Sequence, residues 1–471
     1  MANEKFDELK KKRFSDNKNG WIISDDTQKK DIFSFAEEYK AFLNSCKTER
    51  ECASWFEEKA KSNGFKDFSE FEKLTPGDKV IVKNTDKSVL FAVIGTAPIE
   101  KGTDIVAAHI DSPRLDTKPN PLYEDTSVAY FKTHYYGGIK KYQWLTIPLA
   151  IHGTIVKRNG EKIKIVIGEE DNEPVFCVAD LLPHLAQSQM SKTGSKLVEG
   201  ERLNVILGTY PIADDVSDGV KLNIMNFLNQ KYGITEKDFV SADIEIVPAY
   251  KAKDVGLDRS LIGAYGQDDR VCAYTAFMGI LNCKNPEITA ICHLVDKEEI
   301  GSTDSTGMQS VFFENTIAEF CNKSVDSYSD IILRHTLSNS KCLSADVTAA
   351  FDPNFAEVCE KNNSSYLNKG VAFMKYSGSR GKAGTSEAQA EFVAEIANLM
   401  DNNDVLWQTG ELGKVDEGGG GTVAQYLAVM NISTIDCGVP LLSMHSPFEV
   451  SSKVDIYNAF KAYVAFYNQK I

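Results

Sequence analysis

Residues 288–302 read ITAICHLVDKEEIGS, an apolar run that ends in charged residues. Its apolar run has the length of a buried strand, and it stops at two adjacent carboxylates, Glu298 and Glu299. Successive side chains of an extended segment point to opposite sides, so one glutamate can hold a metal ion while the other carries a proton. A metal-assisted hydrolase requires this division of labour. Because acidic residues are mostly exposed, an isolated Glu-Glu pair is more often a solvated loop, and the interpretation depends on the rest of the chain.

A second apolar strand ends in a histidine and an aspartate. Residues 103–113 read TDIVAAHIDSP, in which a proline follows the predicted strand. The two-residue spacing places His109 and Asp111 on the same side. A metal-bound imidazole usually donates its other ring N–H to a carboxylate, so the two residues suit either such a pair or two separate ligands. Taken alone, the motif is also typical of a buried histidine that is hydrogen-bonded to an aspartate in a turn.

Three further segments each contribute one candidate ligand. Asp268 lies in GQDDR (266–270), just before a predicted helix in which acidic residues are ordinary capping groups. Asp346 lies in the short apolar piece LSADVT (343–348), and His445 ends the strand-like segment VPLLSMHSP (439–447). Histidine is scarce in this chain, which has seven, so two histidines at strand ends form a natural pair.

Together, these histidines and carboxylates could bind two divalent ions of the zinc, manganese or cobalt type. The sequence has no Cys-x-x-Cys pair that would indicate a structural zinc site. Open α/β sheets bind their ligands outside the carboxyl ends of the strands, which is where this set would collect. The spacing of the residues therefore predicts a metallohydrolase, without specifying its substrate.

At these residues the sequence resembles the aspartyl aminopeptidase family of metalloaminopeptidases. Five motifs occur in the expected order over nearly the whole chain: AHIDSP, QDDR, DKEEIGS, SADV and SMHS. The resemblance implies that Asp268 bridges two ions, that His109 and Asp346 complete one site, and that Glu299 and His445 complete the other. It also implies that Glu298 is the general base, that Asp111 is the carboxylate behind His109, and that the Asp268–Asp269 peptide bond is cis.

The reaction implied by the resemblance is hydrolysis of the N-terminal peptide bond of a peptide by a water held between two divalent ions. Zn²⁺ is the expected metal, with Co²⁺ and Mn²⁺ as alternatives. Two interpretations from other classes remain open. One is a catalytically silent, self-assembling shell or cargo protein, and the other is a deacylase that acts on a non-peptide amide. A retained general base favours the enzyme.

Composition indicates a cytoplasmic enzyme. At 471 residues, 42% hydrophobic and 25% charged, the chain is long enough for two domains with complete cores. Its start has no apolar signal region, and no apolar stretch approaches the roughly 18 residues of a membrane span. The ten cysteines are scattered along the chain, a spacing that is typical of reduced cysteines in a protein core. The net charge of −15 argues against nucleic acid as a partner.

The predicted fold class is α/β, a doubly wound catalytic domain with an inserted β-rich dimerisation domain. Residues from about 26 to 72 have a helical pattern, and short strands follow up to His109. We expect residues 1–115 and 240–471 to form the catalytic metallopeptidase domain and residues 116–239 to form the insertion. From residue 242 onward, strands alternate with helical segments as in an α/β layer.

The resemblance also implies a homo-oligomer, a tetrahedral dodecamer with inward-facing sites. In such an assembly the inserted domain sends a histidine into a neighbouring site, and His184 in LLPHL (181–185) is the candidate. Lys375 is the candidate for recognition of an acidic N-terminal residue. The segments 136–146 and 377–385 depart from the family pattern, so a neutral or broad preference is equally compatible with the sequence. Otherwise His184 and Lys375 are ordinary surface residues.

Overall fold

The computed structural model describes residues 8–10, 13–14 and 18–470, and it is a mixed α/β fold with three β-sheets in this part of the chain. The strands are Lys66–Asp67 (β1), Lys79–Asn84 (β2), Ser88–Val93 (β3), Thr103–His109 (β4), Arg114–Asp125 (β5), Val128–Tyr136 (β6), Leu149–Val156 (β7), Lys162–Ile167 (β8), Val205–Gly208 (β9), Ala242–Pro248 (β10), Lys253–Val255 (β11), Leu261–Ala264 (β12), Thr289–Val295 (β13), Lys341–Ser344 (β14), Thr348–Ala349 (β15), Val371–Met374 (β16), Trp407–Thr409 (β17), Ser433–Gly438 (β18), Pro440–Leu442 (β19) and Glu449–Ser452 (β20). Within residues 18–470 the α-helices are Gly20–Ile23 (α1), Asp26–Ser45 (α2), Glu49–Ser62 (α3), Gln187–Met190 (α4), Gly219–Tyr232 (α5), Gln267–Leu281 (α6), Phe312–Ser324 (α7), Asp330–Asn339 (α8), Ala390–Asn402 (α9), Ala424–Ala428 (α10) and Lys453–Tyr467 (α11).

The nine-stranded sheet has the order β1-β2-β3-β13-β4-β14-β18-β16-β17. Strands β13, β4, β14 and β18 are mutually parallel, and all seven residues of β4 are buried. Alternate side chains of β4 enter two different cores, because successive residues of a strand point to opposite faces. Val106 packs in a core with α2, α3, α6, α9 and α11, and Ile105 packs in a core with α7, α8 and α10. Helices therefore cover both faces of this sheet.

The six-stranded sheet is antiparallel, has the order β8-β7-β10-β5-β6-β9, and has its own apolar core. The expectation that residue 242 opens the α/β layer is wrong, because β10 pairs with β7 and β5 of this sheet. Ile244 and Ile246 of β10 lie in the same core as Leu149 and Trp144. The strands of this sheet therefore run from Arg114 to Pro248, beyond both predicted boundaries. The alternating pattern of β10 fits either sheet, so sequence could not assign it.

The third sheet is small and has five strands in the order β11-β12-β20-β19-β15. Its strands β19 and β20 pair antiparallel, and His445 lies in the turn that joins them. This turn, rather than a strand end, carries the histidine.

The first predicted helical region is correct over most of its length. Helices α2 and α3 occupy residues 26–45 and 49–62, but residues 66–67 form an edge strand parallel to β2. Among the described residues, no helix is long and apolar enough to cross a membrane.

Candidate metal centre

The candidate ligands collect at the carboxyl edge of the parallel strands. His109 ends β4, Glu298 follows β13, and Asp346 follows β14, and these three strands are neighbours in the sheet. Asp268 lies at the beginning of α6, where Asp268 and Asp269 have non-helical torsions and are joined by a cis peptide bond. Because parallel strands end at the same edge, residues far apart in sequence meet there.

Asp268 lies at the centre of the cluster. Its Oδ1 is 3.2 Å from His109 Nε2, and its Oδ2 is 3.2 Å from His445 Nε2. Two groups of potential ligand atoms, each within 4.8 Å of one another, therefore share this carboxylate: His109, Asp268 and Asp346 in one group, and Asp268, Glu299 and His445 in the other. The two oxygens of one carboxylate thus face two different imidazoles.

Glu298 and Glu299 reach different parts of the cluster, but not as an extended strand would direct them. They form a single 3₁₀ turn between Lys297 and Gly301, both of which have left-handed backbone torsions. Glu298 Oε2 lies 3.9 Å from His109 Nε2, and Glu299 Oε2 lies 3.6 Å from His445 Nε2. The side chain of Glu298 is 17% exposed and that of Glu299 is 3% exposed. Glu298 is therefore the glutamate that is more accessible to solvent and substrate.

Both histidines present Nε2 to the cluster. His109 Nδ1 lies 3.0 Å from the backbone oxygen of Asp111 and 3.3 Å from its Oδ1, and His445 Nδ1 lies 2.8 Å from the backbone oxygen of Gly138. A carbonyl oxygen only accepts, so each Nδ1 carries a proton and donates it. In the neutral ring, the opposite nitrogen then has the lone pair that a metal ion requires.

Asp111 joins His109 to the glutamate turn. Its carboxylate accepts hydrogen bonds from the backbone N–H groups of Glu298 and Glu299, each at 3.2 Å, and from the Tyr136 hydroxyl at 2.6 Å. Burial alone would raise the pKa of Asp111, but the hydrogen bonds from His109 and Tyr136 hold the pKa below its usual range. The Asp111 carboxylate therefore contacts both His109 and the Glu298–Glu299 turn.

The cluster has an excess of negative charge, which favours the binding of a cation. Burial raises the pKa of Glu298 to about 7, and the charges of Asp111 and Asp268 contribute to this shift. Burial likewise raises the pKa of Asp346 well above its usual value. Burial would lower the pKa of His445, but Asp268 and Glu299 raise it to about 11. Oε1 of Glu299 is buried without a hydrogen-bond partner.

Sequence reasoning missed Glu449. Its carboxylate accepts hydrogen bonds from the backbone N–H of Asp268 at 3.0 Å and from that of His445 at 2.7 Å. Glu449 is buried, and burial raises its pKa to about 8. A single glutamate at the start of a short strand does not stand out in a sequence. The sequence does show that Glu449 lies only four residues after His445.

The cluster opens into a cleft of about 950 Å³. Its lining residues include Asp268, Glu298, Glu299, Asp346, His445, Lys140, Phe355, Met374, Leu441 and the glycine run 419–421. Gly420 donates its backbone N–H to the carbonyl of Ser377 at 2.8 Å, so this N–H is not free to bind a substrate.

Two predicted site residues lie outside the cleft lining. His184 is exposed on the 3₁₀ turn Pro183–Leu185 of the segment between β8 and β9. Lys375 follows β16, and its Nζ lies 3.8 Å from Glu387 Oε1, with Met374 and Ser377 on either side lining the cleft instead. Within this single chain, neither residue contacts the cluster.

Residues 42–467 match the family described as aminopeptidase I zinc metalloprotease (M18). The chain belongs to the M18 family of zinc aminopeptidases. The probable M18 family aminopeptidase 1 of Clostridium acetobutylicum is 52% identical over 456 residues, covering 96% of this chain and 98% of the relative. The crystal structure of the M18 aminopeptidase from Thermotoga maritima has a TM-score of 0.93 and 42% identity, covering 97% of this chain and 100% of that chain.

A more distant relative shares the fold of this M18 aminopeptidase. A chain of the mApe1 dodecamer of S. cerevisiae superposes with a TM-score of 0.74 at 20% identity, over 92% of this chain and 96% of that chain. The family membership confirms the prediction of a zinc metalloaminopeptidase, a hydrolase that releases N-terminal residues from peptides.

Proposed function

We propose that this M18 aminopeptidase works with a co-catalytic pair of divalent ions that share Asp268. One ion would be held by His109, Asp268 and Asp346, and the other by Asp268, Glu299 and His445. The observation that carries the proposal is the position of Asp268, whose two oxygens each lie 3.2 Å from a different histidine. A carboxylate with both oxygens directed in this way is suited to bridging.

The chemistry of the donors fits zinc at both positions, with cobalt or manganese as alternatives. Each group offers one imidazole and two carboxylates, which are ligands that these metals accept. The buried Oε1 of Glu299 has no hydrogen-bond partner, which an ion at this position would supply. The ions would polarise the scissile carbonyl and hold the free α-amine of the substrate.

Glu298 is the proposed general base. Its more exposed side chain faces the cleft, where it would take a proton from the attacking water and pass it to the leaving amine. Asp111 assists by holding the Glu298–Glu299 turn and the His109 ring in place through the hydrogen bonds described above.

For the architecture, we propose a doubly wound catalytic domain that carries an inserted dimerisation domain. The antiparallel sheet with its own core supports this division, with the boundaries moved to about residues 114 and 248. Large apolar side chains are exposed on this part of the chain, including Leu181, Leu185, Met190 and Tyr210. A second copy of the chain would cover them.

The proposed assembly is the tetrahedral dodecamer, with His184 entering the cleft of a neighbouring subunit. The exposed position of His184 beside the apolar side chains of the insertion supports this arrangement. The His184→Ala variant should keep its size in solution and lose turnover, whereas a surface histidine would change neither. The ten cysteines are free thiols, which supports a reducing, cytoplasmic location.

The substrate preference we propose is neutral or broad rather than strictly acidic. The ammonium of Lys375 faces Glu387, which also accepts a hydrogen bond from Lys382 at 2.9 Å. An acidic substrate side chain would have to compete with this carboxylate for Lys375. The lining of the cleft also includes apolar side chains such as Phe355, Met374 and Leu441.

The test compares the metal-reconstituted wild type with Glu298→Gln on acidic, basic and neutral aminoacyl-arylamides. Loss of the base should reduce kcat by about 10²–10⁴-fold, while bound zinc stays at two equivalents per chain. Unchanged kcat in Glu298→Gln would remove Glu298 from the mechanism. Turnover of N-acyl amides but of no aminoacyl-arylamide would favour the deacylase, and no turnover with both ions bound would favour the silent shell.

A further inference from the structure

We propose that Tyr136 is a positioning residue for this reaction, one that anchors Asp111 from the six-stranded sheet and is itself held by the buried guanidinium of Arg114. The inference rests on the proposed function, in which Asp111 orients His109 and the Glu298–Glu299 turn. It assigns to the six-stranded sheet a part in holding the catalytic geometry within one chain.

The hydrogen bonds of Asp111 single out Tyr136. Oδ1 lies 3.2 Å from the Glu298 backbone nitrogen and 3.3 Å from His109 Nδ1, and Oδ2 lies 3.2 Å from the Glu299 backbone nitrogen and 2.6 Å from the Tyr136 hydroxyl. The first three donors belong to residues that Asp111 is meant to position. Among these four donors, only Tyr136 belongs to the six-stranded sheet. Its hydroxyl can therefore hold the Asp111 carboxylate in place from outside the cluster.

The ring of Tyr136 is fixed by its neighbours. Arg114 is its cross-strand partner in the pairing of β5 with β6, and the guanidinium carbon lies 4.0 Å from the centre of the ring. Lys297 Nζ lies 5.5 Å from the same centre. Tyr136 is 7% exposed. A buried ring with two cations over it has little freedom, so its hydroxyl is held in one place.

Arg114 is in turn held by carboxylates from three elements. Its Nε lies 2.8 Å from Asp116 Oδ1 and 3.2 Å from Glu245 Oε2, and its Nη1 lies 3.4 Å from Glu49 Oε2. Asp116 and Glu245 are on β5 and β10, whereas Glu49 is on α3, a helix of the first core. These ion pairs therefore link the six-stranded sheet to helix α3, next to the Tyr136 ring.

The hydroxyl acts as a donor throughout the working pH range. Burial and the Asp111 charge hold the pKa of Tyr136 well above its ordinary value, so the phenol keeps its proton. A permanent donor to Oδ2 keeps the Asp111 carboxylate aligned. Without it, the carboxylate could rotate away from His109 and the glutamate turn.

The test is Tyr136→Phe in the full-length, zinc-reconstituted enzyme, which keeps the ring and removes the hydroxyl. We expect kcat on a leucyl-arylamide to fall about 10–100-fold and zinc affinity, measured by competition with a chelator, to weaken about 10-fold, with little change in KM. Tyr135→Phe is the matched control, because Tyr135 is the adjacent residue of the same strand, is 39% exposed and points to the other face. It should match the wild type in all three quantities.

Arg114→Lys tests the second half of the inference, since it keeps the charge and removes the planar group over the ring. It should lower kcat and zinc affinity in the same direction as Tyr136→Phe, with an apo melting temperature that confirms folding. Wild-type kcat and zinc affinity in Tyr136→Phe would overturn the proposal, as would equal losses in Tyr135→Phe. Absence of turnover in the wild type would instead count against the proposed function.

Discussion

The Glu449 carboxylate accepts a hydrogen bond from the backbone N–H of His445 at 2.7 Å, and its other oxygen accepts one from the backbone N–H of Asp268 at 3.0 Å. One buried side chain thus fixes the backbone of two proposed ligands, Asp268 at the start of α6 and His445 in the turn between β19 and β20. Neither contact involves a side-chain atom of the ligands, so the arrangement holds their positions before any metal binds.

Replacing Glu449 with glutamine should weaken this support. The amide keeps one acceptor oxygen but turns an N–H₂ group toward the other backbone N–H, so that one buried donor loses its partner. We expect the free energy of unfolding of the apo protein to fall by about 1–3 kcal/mol, together with weaker zinc binding. Chemical denaturation and chelator competition measure the two effects. Wild-type values for both would show that Glu449 has no such role.

The zinc content of three variants should distinguish the ligand that both ions share from the ligands that hold a single ion. Asp346→Asn and Glu299→Gln each alter one group, so each should bind close to one zinc per chain tightly, whereas Asp268→Asn should lose tight binding of both. Removal of metal with a chelator should abolish turnover, and back-titration with zinc should restore it at two equivalents per chain. Restoration at one equivalent, or equal zinc loss in all three variants, would contradict a bridging Asp268.

Substrate preference can be tested by comparing two lysines. Lys140 is the one lysine or arginine among the cleft-lining residues that the structure describes, whereas Lys375 lies outside that lining and faces Glu387. We expect Lys140→Met to lower kcat/KM for aspartyl- relative to leucyl-arylamide several-fold, because it removes the one cationic side chain of the described cleft lining. Lys375→Met should leave this ratio unchanged. The reverse result would restore Lys375 as the residue that recognises acidic substrates.

Stability should decrease at alkaline pH through His152. Its Nδ1 lies 3.1 Å from Glu51 Oε1 and its Nε2 lies 2.9 Å from Glu169 Oε1, and Lys47, Lys164 and Lys251 lie near the same carboxylates. Burial would lower the pKa of His152, but Glu169 and Glu51 raise it above 6.5. The folded state therefore binds the proton more tightly than the unfolded state.

This stabilisation is complete below pH 6.5 and is lost as the pH rises through the higher pKa of the folded protein. The slope should reach about 1.4 kcal/mol per pH unit in that window. Urea denaturation of the apo protein between pH 6 and pH 9 measures it, and His152→Gln should flatten the curve. An equal slope in wild type and variant would assign the pH dependence to other groups.

The sequence alone determined the chemistry of this protein. His109, Asp268, Glu298, Glu299, Asp346 and His445 were all identified from short motifs, and the structure brings every one of them to a single cluster. Metal ligands and acid–base groups are chemically distinctive, and they follow apolar strands whose alternation and length are local properties of the chain. The α/β class follows from the same local patterns.

The geometry around these residues depends on contacts between distant parts of the chain and could not be read from the sequence. The tertiary structure placed Glu298 and Glu299 on a 3₁₀ turn rather than on an extended strand and assigned β10 to the antiparallel sheet. It also placed Glu449 and Tyr136 in hydrogen-bond contact with His445 and Asp111. These features depend on pairings between strands, and on single hydrogen bonds, that join residues far apart in the chain. A lone glutamate or tyrosine has the same appearance in sequence whether it faces solvent or a ligand, so its role is set by what the fold places beside it.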